Sequence, residues 1–109
     1  MKKHLKTVFL TGSLLSVAAL CLAGGPAEMD LKARYSVEGK KAAVIFPHSL
    51  HQEKLDCVKC HASAAGGALS IKPEVMTGMA NDFHKKICWP CHVEMKVPKG
   101  KSCKTCHKK

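Results

Sequence analysis

Apolar residues along this chain fall into two regimes. A dense apolar run, Leu14-Leu15-Ser16-Val17-Ala18-Ala19-Leu20-Cys21-Leu22-Ala23, follows the basic start Met1-Lys2-Lys3-His4-Leu5-Lys6. After Gly24 the apolar positions thin out and come in short bursts. Met29 to Arg34 and Ala42 to Phe46 are short extended candidates, and Glu38-Gly39-Lys40-Lys41 between them carries turn chemistry. They predict a two-stranded N-terminal hairpin. Phe46-Pro47-His48-Ser49-Leu50-His51 predicts a helical turn, with Pro47 at its entry because the ring pre-sets φ and needs no amide donor. Ser63 to Ser70 is small and Gly-rich, a loop. Val75, Met79 and Phe83 recur at four-residue steps and predict a helix over Pro73 to Lys86, which Gly78 weakens. Pro98 to Lys101 is a turn. No long regular element is expected across the cysteine-rich segments.

The first apolar run reads as an address. A basic start, a short apolar stretch and then Ala23-Gly24-Gly25-Pro26 have the form of a cleavable secretory signal over residues 1–23. Ala27 offers a second cleavage point. A membrane-spanning helix needs about 20 apolar residues, and Thr11, Gly12, Ser13 and Ser16 interrupt this run. A lipid anchor at Cys21 is disfavoured by the large Leu20 before it. No later stretch is long enough to span, so the mature chain, 24–109, is expected as a single exported domain without stable membrane insertion.

Composition turns this into a puzzle. Across residues 24–109, Leu, Ile, Val and Phe number 15 of 86. Chains below about 20% in these four residues, with a strong net charge, usually cannot bury enough apolar surface to fold alone. Such a segment is disordered, or something other than aliphatic side chains forms its core. Metals, disulfides and cofactors are the candidates for so small a chain.

The cysteines choose among these. Six of the seven form three units: Cys57-Val58-Lys59-Cys60-His61, Cys88-Trp89-Pro90-Cys91-His92 and Cys103-Lys104-Thr105-Cys106-His107. Each is C-x-x-C-H, the attachment signature of c-type haem. Two thiols add to the vinyl groups on one edge of the porphyrin, and the next residue reaches the iron from one face. A disulfide framework does not require a His after every second Cys. Structural zinc needs two pairs per ion, and here there are three. A redox C-x-x-C pair explains one unit, not three. The expected cofactors are three haem c.

The histidine count is an independent check. Three haems have six axial positions. His61, His92 and His107 fill three, and His48, His51 and His84 are the histidines left in the mature chain. Met29, Met76, Met79 and Met95 compete as sixth ligands, and a thioether would raise the potential. Two imidazoles per iron leave no open position for substrate, which points to electron transfer at low potential. His48 and His51 lie on one side of a helical turn, so they should serve two different haems.

Charge adds a surface. The whole chain has net charge +10. Lys96, Lys99, Lys101, Lys104, Lys108 and Lys109 crowd the C-terminal motif, where they balance haem propionates or steer acidic redox partners to that haem. Nucleic acid is not expected as a partner, because no base-stacking aromatics interleave the lysines.

These residues resemble a triheme cytochrome of the c7 group, within the class III, or cytochrome c3-type, multihaem cytochromes. The likeness covers roughly Met29 to Lys109. It rests on the hairpin, the F-P-H-x-x-H element, the three motifs, a His four residues before the second motif and the Lys-rich end. It implies a small, irregular fold with a short hairpin and short helices wrapped around three haems. It implies the axial pairs His48 with His61, His51 with His92 and His84 with His107, and it matches Phe46 to an aromatic that packs near the first two haems. It also implies a monomeric periplasmic carrier that shuttles electrons between inner-membrane donors and outer-membrane or extracellular metal- or sulfur-reducing partners. The alternatives are a small haem reductase acting directly on metal ions or sulfur species, and a haem or metal store. Ala62 to Asn81 departs from the family pattern as a long Gly/Ala-rich insertion.

Overall fold

A computed structural model describes residues 24–109. Residues 1–23, on which the expected signal falls together with His4 and Cys21, lie outside the described residues. Strand β1 (Met29–Asp30) pairs antiparallel with β2 (Ile45–Phe46), in the register Met29↔Phe46 and Asp30↔Ile45. The pairing matches the expected hairpin, but the strands are two residues long. The Asp30 carboxylate accepts the Ala33 amide at 2.9 Å and caps a helical turn, α1 (Leu31–Arg34), so the chain leaves the extended path after Asp30. Lys32 ties down the connection by donating to the Gly39 carbonyl at 2.7 Å.

Helix α2 (His48–Lys54) starts directly after Pro47. A 3₁₀ turn, Cys57–Lys59, carries the first motif. The Gly/Ala-rich loop that follows folds back on that motif: Ser70 N donates to Cys60 O at 2.8 Å and Ala62 N to Ala68 O at 2.9 Å. The reversal uses Gly66 and Gly67 at φ 88° and 84°, a left-handed conformation that costs glycine little.

The helix expected over Pro73 to Lys86 is corrected. Helical structure starts at Phe83, as a π-helical turn (Phe83–Cys88) running into α3 (Trp89–Glu94). Two causes are visible. The Asp82 carboxylate takes the Glu74 and Val75 amides at 2.8 and 2.9 Å, competing with helical bonding. Gly78 sits at φ 80°, outside the helical region. The apolar spacing had no core to face, for Val75 and Met79 are 53% and 64% exposed.

A second expectation is also corrected. Regular structure does cross a motif: the second lies inside the helical run Phe83–Glu94, and the third opens α4 (Cys103–Cys106). The i, i+3, i+4 spacing of C-x-x-C-H puts both sulfurs and the imidazole on one helical face. Pro90 accounts for the widened turn, since it has no amide to give and its ring crowds the carbonyl a turn earlier. The chain closes on itself when His107 bridges Val44 and Tyr35 meets Phe83 edge to face at 5.2 Å.

No hydrophobic side chain is buried among the described residues. The buried residues are Pro73, Asn81, Asp82 and Gly100. An aliphatic core is missing from the fold, as the composition implies. No helix among the described residues is long and apolar enough to cross a membrane.

Candidate functional site

The six histidines come together in three pairs. Ring centroids of His48 and His61 are 6.2 Å apart, those of His51 and His92 6.3 Å, and those of His84 and His107 6.4 Å. Each pair joins residues from different parts of the chain. A metal–imidazole bond of about 2.0 Å plus a ring radius of about 1.2 Å, doubled, places trans imidazole centroids about 6.4 Å apart. All three pairs fit one iron between two rings. Histidines grouped in twos suit a metal whose remaining ligands come from a macrocycle. Among the described residues no three His, Cys, Asp or Glu side chains gather as a metal-ion site of their own.

Every one of these rings is anchored through Nδ1 to a backbone carbonyl. The partners are Pro26 for His48 (3.1 Å), Pro47 for His51 (2.9 Å) and Gly67 for His61 (2.8 Å). They are Met79 for His84 (2.9 Å), Gly100 for His92 (2.7 Å) and Ala42 for His107 (2.7 Å). A carbonyl only accepts, so Nδ1 carries the proton and Nε2 keeps its lone pair. Asn81 Nδ2 also lies 3.3 Å from His84 Nδ1, but that amide already donates to Gly78 O at 2.6 Å.

The local chain explains the anchors. His51 Nδ1 reaches back one turn within α2. The loop after the first motif delivers the Gly67 carbonyl to His61. Gly100 comes so close to His92 that a Cβ there would lie 2.8 Å from the His92 Cβ and 3.0 Å from Nδ1. Asn81 Oδ1 accepts the His84 amide at 3.0 Å and fixes the start of the π-helical turn.

Cys60, Cys88, Cys91, Cys103 and Cys106 carry free thiols. Burial pushes the Cys88 thiol up to about 11, and Cys106, Cys60 and Cys91 add to the shift. Burial also raises Cys60, with Cys91 adding and Lys59 opposing. Cys106 is raised by burial as well, against Lys108. Cys60, Cys88, Cys91 and Cys106, drawn from all three motifs, thus neighbour one another. Met95 Sδ takes the Cys91 S–H at 3.7 Å, and Met79 serves His84 through its carbonyl.

Two aromatics border the pairs. Phe46 lies 4.4 Å from the His51 ring and 6.1 Å from that of His48, between the first two pairs. Trp89 stacks on His84 at 4.3 Å. Sequence reasoning missed Asn81, Asp82, Trp89 and Gly100. Asn81 had a readable signal, an Asx residue three positions before a helical amide. For Gly100 only the turn was readable, not its contact with His92. The six C-terminal lysines are all exposed.

Comparison with known proteins closes the argument. A family model described as cytochrome c7 and related cytochrome c matches residues 44–108, from the second strand through the third motif. No curated protein and no solved structure matches the chain. The match spans more than half of the sequence and holds all three C-x-x-C-H units, so the chain belongs to the family of cytochrome c7 and related cytochrome c, small multihaem electron-transfer proteins.

Proposed function

We propose that this protein is a periplasmic electron carrier holding three low-potential, bis-histidine haem c groups. The observation that carries the reading is the three histidine pairs, 6.2 to 6.4 Å apart, with every ring anchored through Nδ1. The axial pairs are His48 with His61, His51 with His92 and His84 with His107. Cys57 and Cys60, Cys88 and Cys91, and Cys103 and Cys106 supply the thioether sulfurs. Each haem supplies a one-electron couple at its iron.

The protein's part is to set that couple. A carbonyl on each Nδ1–H makes the opposite Nε2 a stronger donor and favours the oxidised state, which lowers the potential. Backbone anchoring holds the rings in place through a change of charge. Two imidazoles per iron leave no position for substrate, so transfer between partners fits better than catalysis. Export by the signal segment places the carrier between inner-membrane donors and outer-membrane or extracellular metal- or sulfur-reducing partners. The exposed lysines around the third motif offer an acidic partner its docking face.

Intact mass and optical spectra test this reading. The mature chain should exceed its polypeptide mass by three haems, and the oxidised form should be entirely low-spin and bind no carbon monoxide when reduced. A haem-free chain, or one with a carbon-monoxide-binding iron, would sink it. His84→Ala should turn one haem high-spin and leave the others low-spin.

A further inference from the structure

The second motif carries the chain's single Trp, at a position the attachment chemistry leaves free. Trp89 stacks on the His84 ring with centroids 4.3 Å apart and planes 7° from parallel. The Lys101 ammonium sits 5.0 Å from the centre of the Trp89 ring. Trp89 thus contacts both Lys101, from the turn before the third motif, and His84, from the segment before the second. His84 and Trp89 are five residues apart. In an α-helix that separation points two side chains well away from each other, because neighbours on a face are three or four apart. The π-helical turn Phe83–Cys88 bonds i to i+5 and brings the two into line. This irregularity therefore has a consequence at a ligand of the third site.

We propose that Trp89 is a positioning residue for the third haem, which fixes the ring plane of His84 across that of His107. The proposal rests on the bis-histidine reading above. The three pairs differ in ring orientation: 71° for His48 and His61, 20° for His51 and His92, and 85° for His84 and His107. The His84–Met79 bond holds one edge of the ring and leaves rotation about that bond open. The indole face closes this freedom. Its negative π-cloud also favours the electron-depleted imidazole of the oxidised iron, in the manner of a cation–π contact. Trp89 thereby links the attachment motif of the second haem to an axial ligand of the third.

Electron paramagnetic resonance of the fully oxidised holoprotein tests the idea, because crossed imidazole planes give a low-spin signal with one very large g value and near-parallel planes give a rhombic one. The wild type should show two large-g signals and one rhombic signal. In Trp89→Leu one large-g signal should move toward the rhombic pattern and the potential of that haem should rise. Trp89→Phe, which keeps a stacking ring, should restore both. If Trp89 only packs, Trp89→Leu will lower the melting temperature and leave spectrum and potential unchanged, and the proposal falls. A wild type without low-spin bis-imidazole signals overturns the ligation reading itself, and this inference with it. If Trp89→Leu fails to mature, the reduced wild type decides. Nuclear Overhauser contacts between the indole and the His84 ring protons are expected, and their absence overturns the proposal.

Discussion

Gly100 shows how much rests on one side chain, or on the lack of one. Its carbonyl orients His92 at 2.7 Å, and its α-carbon lies where a methyl would meet the His92 ring. Gly100→Ala is therefore an overpacking change, of the kind that costs about 1–3 kcal/mol. It should lower the denaturant midpoint of the holoprotein and perturb the spectrum of the second haem alone. An unchanged midpoint and spectrum would show that the turn yields and that the close approach does not matter. The histidines were legible as a set of six, which the structure brings together in three pairs. Their anchors were not. A backbone carbonyl carries no residue identity, so nothing in the sequence marks Pro26, Gly67 or Ala42 as the group that sets a tautomer. Trp89 was equally hidden, because its contact depends on a π-helical turn that apolar periodicity does not encode.

Elements tell a different story. The F-P-H-x-x-H turn and the loop at Ser63 to Ser70 were readable, since Pro and Gly act locally. The helix expected over Pro73 to Lys86 was not formed, since Asp82 diverts the Glu74 and Val75 amides. Asp82 is 2% exposed, and Lys86 pairs with it at 3.0 Å. The Val75 and Glu74 amides, then Lys86, hold its carboxyl down from 3.8 to about 2. A depressed carboxylate stabilises the fold above its unfolded value and loses that effect as pH falls through its folded value. Asp82 should thus contribute fully above 3.8 and progressively less down to about 2. Thermal melts of Asp82→Asn and wild type at a series of pH values check this. The wild type should melt higher at neutral pH, and the gap should close across that window. A gap that persists at the acid end would assign the effect to shape rather than charge. The N-terminal segment makes its own prediction. Gly24 O accepts from Gln52 Nε2 at 3.1 Å, Pro26 O from His48 at 3.1 Å and Ala27 O from Ser49 N at 3.0 Å. Cleavage after Ala27 would remove the His48 anchor, so the mature protein should begin at Gly24. A mass starting at Glu28 would refute this.

For the whole molecule, the missing core becomes the main physical fact. Ordering a residue costs about 1–2 kcal/mol of backbone entropy, and aliphatic burial normally opposes that cost. Here no hydrophobic side chain is buried among the described residues, and Ile45, Leu50, Val58 and Val93 are all exposed. The polar network around Asp82 and the Nδ1 anchors define geometry, but each such bond nets only about 0.5–1.5 kcal/mol. In the proposed function, three macrocycles, each gripped by two thioethers and two imidazoles, would supply the apolar mass that the chain lacks. Covalent links would also make the cofactors part of the chain, so that their burial would stabilise the fold without a binding equilibrium. The composition had already posed this requirement, and the paired histidines are where the proposed function puts the macrocycles. The polypeptide without haem should therefore be largely unfolded. Far-ultraviolet circular dichroism of a variant with the six motif cysteines replaced by serine, prepared without the signal segment, should be weak and coil-like. It should show no cooperative thermal transition, while the holoprotein melts cooperatively. A well-folded spectrum from that variant would mean that hydrogen bonding and surface contacts suffice, and that the haems decorate a fold they do not create.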